Sequence, residues 1–138
     1  MYSRILVPID LANTPKLTRA LEAAARLARD HDAKVIYLNV VDTAPSMPGE
    51  SEGQRTRDAM DVFAAEQANL HGIETADHVA LRGDLHLHVG KEIIAAATQS
   101  KCDLIVMASH MPGLMDHVFS SNAGYVATHA PVSVFVVR

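Results

Sequence analysis

The stretch "DLIVMASHMPGLMDHVFSSN" (residues 103–122) decides how the rest of the chain is read. Its start, "DLIVMA" (103–108), is a short apolar run with β-branched side chains. Such runs suit strands buried on both faces, as in a parallel sheet. The remainder has a single glycine, Gly113, and ends Ser-Ser-Asn ahead of a short helical pattern. A strand, a loop and a helix N-terminus in that order can hold a phosphate, because the first N–H groups of a helix are unpaired and its dipole favours an anion there. On residues alone the stretch is a phosphate cradle, a worn form of one, or only a loop.

Runs of the same kind occur at "RILVPI" (4–9), "KVIYLNVV" (34–41) and "VSVFVV" (132–137). A fifth segment, "ADHVALR" (76–82), is more polar and alternates, which suits an edge strand. Helical spacing fills the gaps. Residues 15–31 repeat through Leu17, Ala20, Leu21, Ala24, Leu27 and Ala28, with Thr14 as a cap and Pro15 in the first turn. Residues 52–71 carry Met60, Phe63, Ala64 and Leu70, a weaker stripe broken by Gln67. Asp84 can cap a helix to about Ser100, with Ile93, Ile94 and Ala97 inward. Residues 121–130 place Ala123, Val126, Ala127 and Ala130 on one face, and Gly124 weakens that helix by about 1 kcal/mol relative to alanine. The order β-α-β-α-β-α-β-α-β, with crossovers long enough for parallel pairing, predicts a doubly wound α/β fold. "TAPSMPGESEGQ" (43–54) reads as an exposed loop.

The chain has 138 residues, enough for one domain with a real core, so a single domain over 1–138 is expected. A net charge of −4 with no basic block disfavours nucleic acid as a partner. No apolar stretch is long enough to span a membrane, and "MYSRILVPID" does not read as a signal peptide. The single cysteine, Cys102, excludes an internal disulfide framework and a Cys-rich metal site. A soluble, cytoplasmic protein is the expectation.

In open α/β sheets ligands bind beyond the carboxyl ends of the strands, where the strand order reverses. The candidate residues are therefore Pro8, Ile9 and Asp10 after the first strand, Val40 and Val41 with Asp42 after the second, and Met107, Ala108, Ser109 and His110 after the fourth. Ser120, Ser121 and Asn122 join them at the start of the last helix. Asp10 can accept from a ribose hydroxyl or a base, or can simply organise the turn into the first helix. Val40 and Val41 can wall a base. Ser120 or Ser121 can hold a phosphate or serve only as an N-cap.

Taken together, "ILVPID", "CDLIVMASH" and "SSNAGYVATHAPVSVFVVR" resemble the universal stress protein family across essentially the whole chain. The resemblance implies an adenine-nucleotide α-hydrolase-like fold with five parallel strands in the order 3-2-1-4-5. It implies binding of ATP or another adenine nucleotide, with Mg2+ as an optional companion, in a sensor or adaptor of stress response. Catalysis would be at most slow ATP hydrolysis or self-phosphorylation. Asp10 matches the aspartate ending the family's first strand, and Val40 or Val41 the adenine-side residue of the second. Ser109 and His110 match the middle of a "GSHG" loop, and Ser121 the serine of its closing "GS". The family's loop has the form G-x2-G-x9-G-[ST]. Here Ala108, Met111 and Ser120 stand at the three glycines. "ASH-x-P" and "SNA" resemble a short UspF/UspG-like subgroup, in which only Ser120 departs.

Those departures have a ranked cost. Ala108 adds one methyl group. Met111 removes no donor if its φ is negative. At Ser120 a Cβ costs about 1–2 kcal/mol if the position needs φ > 0, and it obstructs a triphosphate packed on the backbone, although its hydroxyl can also donate to a phosphate. Weakened binding is expected, with AMP or ADP preferred to ATP. A second departure is an extension of roughly one helical turn between Gly83 and Ile93.

Other constellations carry less. His86 and His88 are two apart and would face different sides of a helix. His110, Asp116 and His117 lack Cys partners or a HExxH pattern, so no metal site is expected. Ser120 or Ser121 with His110 lacks the strand–GxSxG–helix elbow of a hydrolase. Cys102 reads as a quiet core thiol. The last strand, Val132–Val137, lies at a sheet edge in the implied topology. A long apolar edge needs cover, and relatives cover it by dimerising, so the resemblance implies a homodimer through that strand. The rival reading is a nucleotide-free dimeric interaction protein of the same fold.

Overall fold

Successive residues of the central strands point to opposite sides of the sheet, and each side has its own layer of helices. The structure, a computed structural model, describes residues 1–40, 51–76, 79–81, 89–110 and 122–138. Its strands are β1 (Arg4–Ile9), β2 (Lys34–Val40), β3 (Glu74–Thr75), β4 (Val79–Leu81), β5 (Leu104–Ala108) and β6 (Ser133–Val137). A 3-10 segment, Leu11–Leu17, leads into α1 (Thr18–His31). The other helices are α2 (Ser51–His71), α3 (Val89–Gln99) and α4 (Asn122–His129).

All strand pairs are parallel, and the sheet runs β3-β2-β1-β5-β6. The pieces β3 and β4 pair with the same strand, β3 along Lys34–Val35 and β4 along Leu38–Val40. They are two parts of one edge position. Counting them once yields five positions in the order 3-2-1-4-5, as expected. The edge strand begins at Glu74, two residues earlier than its alternation suggests.

Ile5, Val7 and Ile9 of β1 join Val35 and Tyr37 of β2 and Leu104 and Val106 of β5 under α1 and α2. Leu6, Ile36, Leu38, Ile105 and Met107 face the other way, against Ile93 and Ala97 of α3 and Ala123 and Val126 of α4. The near-continuous apolar runs follow from this double cover. Tyr37 is fully buried and meets Phe63 edge-on at 5.1 Å between ring centroids.

Three helices return to the sheet through one device. The chain turns left-handed at Asp32, Gly72 and Lys101, with φ of 53°, 61° and 54°. The next residue then donates back to a helix carbonyl: Ala33 N–H to Ala28 O, Ile73 N–H to Ala68 O, and Cys102 N–H to Ala97 O. These are Schellman closures. Asp103 ties the first strand in place, its carboxylate accepting from the N–H groups of Ser3 and Arg4.

Several helix readings need correction. Residues 15–17 belong to the 3-10 segment, α1 starts at Thr18, and Pro15 sits inside the 3-10 segment. Thr14 is not a cap: Asp10 caps the 3-10 segment, its carboxylate reaching the N–H of Ala12, and α1 follows from Leu17 with no side-chain cap. On α2 the inward row is Met60, Phe63, Ala64 and Gln67, whereas Leu70 is 72% exposed. At 3.6 residues per turn Leu70 lies roughly 80° round from Met60, at the rim of that row, while Gln67 lies within it. Ala127 of α4 is exposed. The end of the expected 43–54 loop, residues 51–54, is instead the first turn of α2. The proposed Asp84 cap, the 83–88 part of the extension and residues 43–50 of the loop lie outside the described residues.

Cys102 is buried, and loss of hydration pushes its thiol up to about 11, with the Arg4 charge lowering it and the Asp103 charge raising it. It therefore stays protonated and unreactive near neutral pH. Among the described residues no helix is long and apolar enough to cross a membrane.

Candidate functional site

Backbone parity explains where the ladder between β1 and β5 ends. The Ser3 carbonyl accepts from Lys34 N–H, and the Arg4 carbonyl accepts from Asp103 N–H. Odd residues of β1 therefore address β2 and even residues address β5. Pairing of β1 with β5 covers Ile5–Leu104 and Leu6–Ile105 and stops there, although β1 continues to Ile9 and β5 to Ala108. Pro8 is the next even residue, and it has no N–H to offer. The ladder of backbone bonds to β5 ends at that point. This is also where the strand order reverses, with β2 on one side of β1 and β5 on the other.

The β1 side of this edge is closed to anions. Asp10 is 8% exposed, and both of its carboxylate oxygens are engaged. One accepts from Ala12 N–H at 2.9 Å, the other from the Asn13 side-chain amide at 2.8 Å. Asn13 N–H donates to the Asp10 carbonyl at 3.0 Å. Leu11 N–H donates to the side-chain oxygen of Asn39 at 3.2 Å. All three N–H groups after Asp10 are thus consumed within the protein. The turn-organising role of Asp10 is realised in this geometry, and what remains on the carboxylate is acceptor capacity.

Sequence reasoning passed over Asn39. It is 2% exposed on β2, opposite Ile9 in the register. The available signal was a lone asparagine, a poor strand former, inside an apolar strand run. A buried carboxamide is costly unless it is hydrogen-bonded, so such a residue invites a search for its partner.

On the β5 side Met107 is fully buried, Ala108 and Ser109 are half-buried, and His110 is exposed. Ser109 N–H donates to the Val137 carbonyl at 2.7 Å, so it too is taken. Asn122 is half-buried as the first residue of α4. Pro8 and Ile9 are buried at the end of β1, and Val40 ends β2. The candidate residues therefore fall on three neighbouring strand ends and one helix start. Val41, Met111, Ser120 and Ser121 lie outside the described residues, as do His86, His88, Asp116 and His117. Among the described residues no group of three His, Cys, Asp or Glu side chains could hold a metal ion.

The geometry is that of a doubly wound α/β domain whose candidate residues gather at its switch point. The chain belongs to the universal stress protein family, whose model matches residues 1–138. It is 29% identical to Universal stress protein G of Shigella flexneri, over 100% of both chains. Among solved structures, a universal stress protein in complex with cAMP superposes with a TM-score of 0.70 at 17% identity, covering 99% of this chain and 97% of that one. A universal stress protein from Archaeoglobus fulgidus in complex with dAMP superposes with a TM-score of 0.68 at 18% identity, covering 99% and 98%.

Proposed function

We propose that this chain is a cytoplasmic stress-response sensor or adaptor that binds an adenine nucleotide at the carboxyl edge of its sheet. The observation that carries the reading is the end of the β1–β5 ladder beyond Leu6, where the strand order reverses, beside a turn whose Leu11, Ala12 and Asn13 N–H groups are all engaged. Those three N–H groups are not available to an anion. The nucleoside half then belongs near Pro8, Ile9, Asp10, Val40 and Val41. The phosphates belong on the other side, with Met107 to Met111 and the start of α4 at Ser120, Ser121 and Asn122. A helix start supplies unpaired N–H groups and favourable dipole charge for a phosphate. The complexes of two family neighbours with dAMP and cAMP, both monophosphates, support an adenylate ligand. Both Asp10 oxygens already accept hydrogen bonds, so a Mg2+ ion entering with ATP is held chiefly by phosphate oxygens.

Titration calorimetry with AMP, ADP and ATP tests this. The expected order is AMP and ADP ahead of ATP, because Ser120 stands where a glycine would let a triphosphate approach. Ser120→Gly should then raise ATP affinity roughly tenfold, about 1.4 kcal/mol, and leave AMP nearly unchanged, because it removes the side chain that would obstruct a triphosphate packed on the backbone. Absence of heat with all three nucleotides at millimolar concentration would sink the proposal.

A homodimer through β6 accompanies this reading and also its rival, the nucleotide-free interaction protein. Phe135 is 47% exposed on an edge strand whose valines are only half-buried. An apolar edge of this kind is a pairing surface. Phe135→Glu is expected to convert a dimer at micromolar concentration to a monomer in sedimentation equilibrium. A monomeric wild-type protein would refute the pairing.

A further inference from the structure

Resting on the nucleotide reading above, we infer that Asn39 is a positioning residue for nucleotide recognition: its side-chain oxygen holds the Asp10–Asn13 wall of the site in place through Leu11 N–H. Leu11 is the next odd residue after Ile9, so its N–H continues the track by which β1 addresses β2. The side chain of Asn39 receives it in place of another backbone ladder step. Without that oxygen the amide has no acceptor in this geometry. The segment that begins with Asp10 then loses this tie across to β2, while Asp10 and Asn13 remain bonded to each other. Burial of Asn39 to 2% exposure is the cost side of the argument. An apolar residue would fill the same strand position more cheaply, so the carboxamide is there for what its oxygen holds. A side chain that bonds the segment it positions, from beneath, can set affinity without touching ligand.

The test uses the full chain and three variants, each measured well below its unfolding midpoint. Asn39→Leu keeps the branched, four-heavy-atom outline and removes the acceptor. Asn39→Asp keeps an acceptor oxygen. An amide-to-ester replacement at Leu11 removes the donor and leaves every side chain intact. Two quantities are read: native-state hydrogen exchange of the amides of residues 11–13, and affinity for AMP and for uncharged adenosine, which separates positioning from added charge. Asn39→Leu and the ester are expected to weaken both ligands about tenfold. In Asn39→Leu the Leu11 amide should exchange at least tenfold faster, with core amides of β1 and β2 unchanged. Asn39→Asp should restore slow Leu11 exchange and wild-type adenosine affinity. If the wild-type protein binds AMP while Asn39→Leu and the ester bind both ligands equally well, the inference fails and the nucleotide reading survives. If adenosine affinity falls only in parallel with global stability, Asn39 is structural and the inference also fails. A wild-type protein that binds neither ligand overturns the nucleotide reading, and this inference with it.

Discussion

Truncating Tyr37 to alanine will destabilise the protein by about 3–5 kcal/mol, the range for deleting a buried aromatic ring, whereas Tyr37→Phe will leave stability unchanged or raise it by up to ~1 kcal/mol. The ring is fully buried on the α2 side of β2 and lies against Phe63 at 5.1 Å with planes at 81°. Its loss opens a cavity and removes an edge-to-face contact. The hydroxyl is different. It is buried and has no hydrogen-bond partner among the described residues, and burial raises its pKa above the ordinary value. An unpaired buried hydroxyl opposes folding. Urea unfolding of the two variants separates ring from hydroxyl. A loss above about 1 kcal/mol for Tyr37→Phe would mean that the hydroxyl holds a hydrogen bond, with an internal water as the bridge. The same buried layer contains Gln67, whose side-chain oxygen also has no partner among the described residues.

Asp10→Ala is expected to lower stability by about 1–2 kcal/mol, the value of a helix cap, and to reduce nucleotide affinity by at least tenfold. The stability loss comes from the bonds that disappear. Ala12 N–H and the Asn13 amide both lose their acceptor, while the Asn13 N–H bond to the Asp10 carbonyl survives. The affinity loss comes from the proposed site, where this carboxylate is the acceptor nearest the nucleoside. Asp10→Asn separates the two effects. It keeps an oxygen for Ala12 N–H but turns an NH2 group towards the Asn13 NH2, so it should lie between wild type and alanine in thermal unfolding. Equal nucleotide affinity in all three proteins would remove Asp10 from the site and leave it a cap alone.

The fold was legible because the strongest signals in the chain are buried. Four apolar runs with β-branched residues became β1, β2, β5 and β6, and the helical row of α1 became its inner face. The misread positions depended on tertiary geometry. Gln67 looks like a break in a stripe, yet it lies in the buried row, and Leu70 looks like core yet lies outside. Composition cannot rank two positions on either side of a helix rim. The left-handed exits at Asp32 and Lys101 carry no glycine, so only the exit at Gly72 had a local sign. At the site, Asp10 was legible as a residue at a strand end. Its engagement with Ala12 and Asn13 is a local cap of the kind an aspartate at a strand end suggests, whereas the reach of Asn39 to Leu11 crosses 28 positions and matches no local motif. Pro8 shows the reverse. Its missing N–H is written in the residue itself, but the missing bond means something only once the side facing β5 is known.

The central position of β1 has a consequence for synthesis. This strand leaves the ribosome before any partner exists. Its first neighbour, residues 34–39, emerges soon afterwards, but its other edge is met only when Leu104 and Ile105 emerge. Until then Ile5 and Leu6 belong to a half-built sheet with an open apolar edge, the kind of surface that draws in other chains. At a ribosomal rate of about 5–20 residues per second the exposure lasts several seconds or more. A nascent chain stalled before β5 is therefore the form of this protein most in need of a chaperone.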